Sequence, residues 1–167
     1  MACCCIRSDL FIDLIDVPDL VHALLDRITE TYIRFMREWE KIVPPRKGPH
    51  AHWGMLHKGR IMLRDDSAMN LSPEMFDEFI KPYDQRLLSE LGGGAIHFCG
   101  RGDHYIDRFA QMNGVYAVNL TQPEYNDLEY VFRNTVDKGI AVIGLRRDVA
   151  EAALNRGRDL QGRVHCW

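Results

Sequence analysis

Between Pro18 and about Lys41 apolar side chains fall at Leu20, Val21, Leu24, Leu25, Ile28, Tyr32, Phe35, Met36 and Trp39. Intervals of three and four turn them onto one broad face, which predicts a helix. Pro18 suits its first turn, and Pro44-Pro45 ends whatever precedes it. The stretch that follows, PPRKGPHAHWGMLHKG, is rich in Pro, Gly and His and reads as a long irregular loop. Loops of that length more often carry function than decoration.

From Gly59 onward short apolar runs alternate with amphipathic ones to the last residue. Strands are predicted at Arg60–Arg64, Ala95–Cys99, Val115–Leu120, Ile140–Leu145 and Gly162–Trp167. Between them, Ser72 caps a helix with Pro73 at its first position; it runs toward Leu91, kinks at Pro82 and ends at Gly92-Gly93-Gly94. Asp103 is read as the cap of HYIDRFAQM, Asn126 of DLEYVFRNTVDK and Asp148 of VAEAALNRGRDL. This rhythm predicts an α/β chain of about five parallel strands with covering helices. Residues 1–16 read as an N-terminal tail and 17–167 as the folded part.

A closed eight-stranded barrel needs about 250 residues, more than the 167 here. The alternatives are an open doubly wound sheet and part of a (β/α)8 barrel. A final strand with no helix after it favours the partial barrel, whose other half would lie on another polypeptide or be lost.

Composition narrows the partners. With a net charge of −3 and a pI of about 6.1, nothing global attracts nucleic acid or an anionic membrane. No apolar run approaches the roughly 20 residues of a membrane span, and the N-terminus lacks the apolar region of a secretory signal, so a cytoplasmic location is expected. The five cysteines comprise the adjacent Cys3, Cys4 and Cys5 and the isolated Cys99 and Cys166. That pattern does not suit a disulfide framework, and the triplet is read as inert.

In parallel α/β folds ligands meet the carboxyl ends of the strands. Those ends are polar here. In His97-Phe98-Cys99, strand alternation points imidazole and thiol to one side, and both can hold zinc. Cys166, at the end of the last strand, is the candidate third ligand, leaving one coordination position open. Asp65 and Asp66 are candidate acid–base groups, with capping of the next turn as the alternative. His52 and Trp53 in the long loop, and Arg101, Asn119 and Gln122 at strand exits, are candidate substrate contacts. The spacing of His50, His52 and His57 matches no metal motif, so they are read as surface or substrate-loop residues. Gly92-Gly93-Gly94 precedes a strand, whereas phosphate loops follow one. Arg146-Arg147 is read as a solvated pair.

The stretches RDDSAMNLSPEMFDEFIKPY, AIHFCGRGDHYID and GIAVIGL resemble the second half of uroporphyrinogen decarboxylase-family proteins, which include cobalamin-dependent methyltransferases. The likeness covers roughly residues 9 to 167, and the His-x-Cys-Gly element is similar to the methyltransferase-like branch. The resemblance implies a (β/α)8 barrel with its site at the strand exits, and zinc on His97, Cys99 and Cys166. It further implies a thiol substrate made nucleophilic on that zinc, accepting methyl from a corrinoid on a partner protein. A tetrapyrrole substrate and decarboxylation are the alternative activity within the family. That reading is weakened because the N-terminal arginine-bearing segment of the decarboxylases has no match here. A truncated, non-catalytic chain, associating through exposed sheet edges as a homo-oligomer or with a missing barrel half, is the third expectation.

Overall fold

The structure is a computed structural model and describes residues 9–167; Cys3, Cys4 and Cys5 lie outside them. Its centre is a parallel sheet of β3 (Ile61–Arg64), β4 (Gly94–Phe98), β5 (Val115–Leu120), β6 (Ala141–Leu145) and β7 (Val164–Cys166), in that spatial order. Each strand adds beside its predecessor, so the strand order never reverses. The five predicted parallel strands all form, within a residue or two of their expected bounds.

Side-chain alternation divides the sheet into two faces. Ile61, Leu63, Ile96, Phe98, Val118, Leu120, Val142 and Leu145 bury against the helices and form the main core with Phe76, Tyr105, Phe109 and Phe132. Phe76 stacks on Tyr105 with ring centres 4.8 Å apart and planes 3° from parallel. The other face carries Ala95, Ala117 and Ile143, which pack against Met55.

Met55 belongs to the first difference from the sequence reading. The loop of residues 44–59 contains a hairpin, β1 (His50–His52) paired antiparallel with β2 (Met55–His57). Its two-residue turn, Trp53-Gly54, has positive φ at both positions, 48° and 77°, the mirror-image turn that matches strand twist. The Pro- and His-rich composition concealed the short apolar run that lets the hairpin lie on the sheet.

A second difference lies in the tail. Asp9–Asp16 forms helix α1, because Leu10, Phe11 and Leu14 pack with Val21, Leu25, Leu71 and Phe79. Helix α2 (Pro18–Ile42) then runs as expected. The helix predicted from Ser72 forms with the Ser72 hydroxyl accepting from Met75 N at 3.2 Å. It divides at Ile80 into α3 (Pro73–Phe79) and α4 (Lys81–Glu90), just before Pro82, which has no N–H to continue the ladder. Shorter helices follow: α5 (Ile106–Phe109), α6 (Leu128–Asn134) and α7 (Arg147–Asn155).

Three expected caps do other work. Asp103 accepts from Asp127 N and pairs with Arg101 instead of capping α5. Asp127, not Asn126, caps α6, accepting from Glu129 N and Tyr130 N. Asp148 sits inside the first turn of α7 and pairs with Arg146. In each case the capping residue is set by where the strand-to-helix loop enters the helix, which spacing alone does not reveal. Among the described residues no helix is long and apolar enough to cross a membrane.

Candidate metal centre

Strand β4 ends in His97 and Phe98, and Cys99 follows. His97 and Cys99 share a side as alternation requires: Cys99 Sγ lies 3.4 Å from His97 Nε2. The chain leaving β3 brings Asp66 to the same point. Asp66 Oδ1 is 3.1 Å from His97 Nε2 and accepts from Cys99 N at 3.1 Å. One ligand atom from each of Asp66, His97 and Cys99 thus lies within 4.8 Å of the other two.

Hydrogen bonding determines what these atoms present to one another. Asn119, one strand over on β5, donates from Nδ2 to Ile143 O at 2.7 Å. A carbonyl can only accept, so the Asn119 amide is oriented with Oδ1 toward the imidazole, where it accepts from His97 Nδ1 at 2.6 Å. The ring hydrogen therefore sits on Nδ1, and Nε2 turns its lone pair to Asp66 and Cys99. Thr121 Oγ1 donates to Cys99 Sγ at 3.3 Å. Three acceptors converge with only the thiol hydrogen among them, and the carboxylate and imidazole acceptors stand 3.1 Å apart. Such a cluster accommodates a metal cation, or one further proton on the ring.

The donor set fits a metal. Tetrahedral zinc with bonds of about 2.1 Å holds its ligand atoms about 3.4 Å apart, close to the 3.1 and 3.4 Å found here. Oxygen, nitrogen and sulfur donors together suit a borderline ion such as zinc. Without metal, burial pushes the Cys99 thiol above its ordinary range; the hydrogen bond from Thr121 works against this and Asp66 adds to it. The free thiol is thus protonated at neutral pH, and a metal binding here displaces its proton.

The surroundings join Trp53, a candidate substrate contact in the sequence reading, to two groups that reading did not assign to the site, Arg64 and Asn126. Trp53, at the hairpin turn, sets its indole edge-on to the His97 ring with centres 5.0 Å apart. Arg64 stacks over that indole at 4.5 Å and reaches Asp66 Oδ2 at 3.5 Å. Holding a tryptophan at positive φ costs about 1 kcal/mol, and the return is an aromatic contact with the His97 ring. Arg64 was legible in principle: it precedes Asp66 by two residues and alternation puts both on one side. Asn126, also missed, accepts from Gly102 N and Asp103 N and donates to Gly100 O and Gln122 O.

Other candidates are found elsewhere. Cys166 does not join the cluster. It pairs in register with Leu145, on the helix-covered face, beside Ala150 and Leu154 of α7. Alternation puts His165, not Cys166, on the face that carries His97. Asp65 is likewise turned away from Asp66. It is 7% exposed and lies with Asp84, Tyr83 and Phe79 around a cavity of ≈ 190 Å³ beneath α2. Gln122 Oε1 accepts from Gly100 N at 2.6 Å, bracing the loop after β4. Arg101 pairs with Asp103 at 2.8 Å at the surface. His52 joins His57 across the hairpin at 2.7 Å, and burial holds both imidazoles below their ordinary range.

Burial, reinforced by the Asp84 carboxylate, raises the Asp65 pKa well above that of a free carboxyl. The folded value exceeds the unfolded one of about 4. The stability Asp65 contributes is therefore fully present below pH about 4 and is lost as pH rises through the folded pKa. Asp65→Asn, which stays neutral, should raise Tm at pH 7 relative to wild type and lose that advantage at pH 4. Thermal denaturation at the two pH values checks this, and an equal effect at both would show that Asp65 is not the titrating group.

No family model matches the chain, and comparison with curated proteins and with solved structures finds no match.

Proposed function

We propose that Asp66, His97 and Cys99 hold a zinc ion on which a thiol substrate is activated, in a chain forming part of a uroporphyrinogen decarboxylase-type (β/α)8 barrel. The observation that carries this reading is the direction of the His97 lone pair. Asn119 commits the ring hydrogen to Nδ1, so Nε2, Asp66 Oδ1 and Cys99 Sγ aim at one point. Three protein ligands with a fourth position open characterise catalytic rather than structural zinc. Bound zinc supplies Lewis acidity, lowering the pKa of a thiol so that its sulfur is nucleophilic at neutral pH. Trp53 packs against the His97 ring, and Arg64 holds the second oxygen of Asp66.

The methyl group would come from a corrinoid on a partner, as the resemblance implies. The strand order supports the barrel side of this reading. A doubly wound sheet reverses direction at a switch point, whereas β3 to β7 follow without reversal.

A second reading draws on the direct contact of Asp66 with His97. With a proton in place of the metal, the two form an acid–base pair suited to decarboxylation of an acidic tetrapyrrole, without any metal.

Elemental analysis of protein purified without added metal separates the two. Near one zinc per chain is expected, falling at least about tenfold in Asp66→Asn, His97→Ala and Cys99→Ser and unchanged in Cys166→Ser. A well-folded sample without zinc that also fails to take it up would sink the metal reading and leave the acid–base pair. Loss of zinc in Cys166→Ser would overturn the ligand set.

A further inference from the structure

The hairpin does not seal the face it covers. Toward the amino ends of β5, β6 and β7 a cavity of ≈ 460 Å³ opens between hairpin and sheet. Ala117, Ala141 and Ile143 form its apolar floor, and Leu56 and Pro49 contribute one wall. Its polar residues are Lys58, Arg163, His57, His165 and Tyr116, and no Asp or Glu of the described residues lines it. The chain as a whole is acidic, at −3, so a cleft that holds Lys58 and Arg163 and no carboxylate runs against the average.

These cations are also uncommitted. Lys58 Nζ lies over the Tyr116 ring at 4.2 Å, and Arg163 donates one N–H to Gly139 O at 3.2 Å. Neither has a carboxylate partner among the described residues. Many other arginines of the described residues are paired, among them Arg37 with Glu90, Arg86 with Asp26, Arg108 with Asp107 and Arg158 with Asp137, although Arg34, Arg46, Arg147 and Arg156, like Arg163, are not. A guanidinium with free donors and an ammonium at the mouth of an apolar cleft together recognise an anionic head on an apolar body.

We propose that this cavity binds a small organic anion, a phosphate ester or carboxylate whose apolar part lies on Ala117 and Ile143 while Lys58 and Arg163 hold its charge. It is separate from the metal centre, which lies at the carboxyl ends of the strands.

Phenyl phosphate, benzoate and the neutral benzyl alcohol are suitable probes, titrated into the full chain and followed by NMR shifts of the Ala117 and Ile143 methyl groups. At least one of the two anions should bind tighter than about 1 mM, and which of them binds better identifies the natural head group. The alcohol should bind at least about tenfold more weakly, since it offers nothing to the cations. The double variant Lys58→Gln/Arg163→Gln, both sites being exposed, should keep its Tm and lose at least about tenfold in affinity for the anion. Binding of the anion should survive His97→Ala. The proposal is overturned if neither anion shifts these methyls, if the alcohol binds as well, if the double variant binds undiminished, or if binding disappears with His97. The alcohol comparison needs no variant, so a folding defect cannot obscure the answer.

Discussion

Under the proposed zinc function, Asn119→Leu should lower zinc affinity by about 10- to 100-fold, and it should destabilise the chain by about 3 kcal/mol, although Asn119 is not among the proposed ligands. It is 1% exposed and makes two hydrogen bonds, accepting from His97 Nδ1 and donating to Ile143 O. Leucine repeats its branched heavy-atom skeleton, though it is bulkier, and leaves both partners buried and unsatisfied, at about 1–3 kcal/mol each. It also releases the imidazole, which can then move its hydrogen to Nε2 and turn a donor toward the metal position. Nitrogen NMR of the metal-free protein reads this directly. Wild-type His97 should carry its hydrogen on Nδ1, and the variant should show a tautomer mixture or a rotated ring. A variant that loses stability yet keeps the Nδ1–H form and full zinc affinity would show that Asn119 supports the sheet without orienting the ligand.

Gly94→Ala should cost about 3 kcal/mol or more, the largest effect expected of any one-carbon change here. Gly94 opens β4, and a Cβ there would lie 1.8 Å from Ile61 O and 2.7 Å from Ile61 C. Both atoms are backbone, and Gly94 is in register with Ile61 across the β3–β4 pair, so relief requires parting the two strands. Those strands deliver Asp66 and His97 to one another, and their separation would dismantle the centre along with the fold. Gly157→Ala is the control. Its Cβ would meet nothing within 4 Å, although its φ is +83°, so it should cost only about 1 kcal/mol. Denaturant unfolding of both variants compares close approach with backbone conformation. Equal costs would mean that the β3–β4 spacing yields easily.

Gly94 also shows how the glycine triplet divides its work. The sequence reading treats residues 92–94 as one helix terminator, and Gly92 and Gly93, with φ of +81° and +72°, do end α4. Gly94 has a separate reason to be glycine, which only its neighbour strand supplies.

Much of the fold was legible along the chain because its signals are local. Apolar spacing marks α2, the five parallel strands follow from short apolar runs, and Ser72-Pro73 marks the start of α3. His97 and Cys99 could be paired for the same reason, since two residues of one strand must share a face. Composition misled where a weak apolar signal was embedded in Pro, Gly and His: the β1–β2 hairpin went unseen, and Trp53, named as a candidate substrate contact, was not placed against the His97 ring.

The third member of the cluster depended on something no single segment contains. Asp65, Asp66 and Cys166 can each offer a ligand atom and all sit near strand exits, so ligand chemistry and position along the chain do not rank them. Their side chains part according to the phase of each strand's alternation and its register with its neighbour. That phase turns Asp66 to His97 and sends Asp65 and Cys166 to the helix-covered face. Alternation within a strand is a property of local backbone geometry and is determined by the sequence. Which residue of one strand stands beside which residue of the next is decided only when the sheet assembles and its hydrogen bonds lock the register.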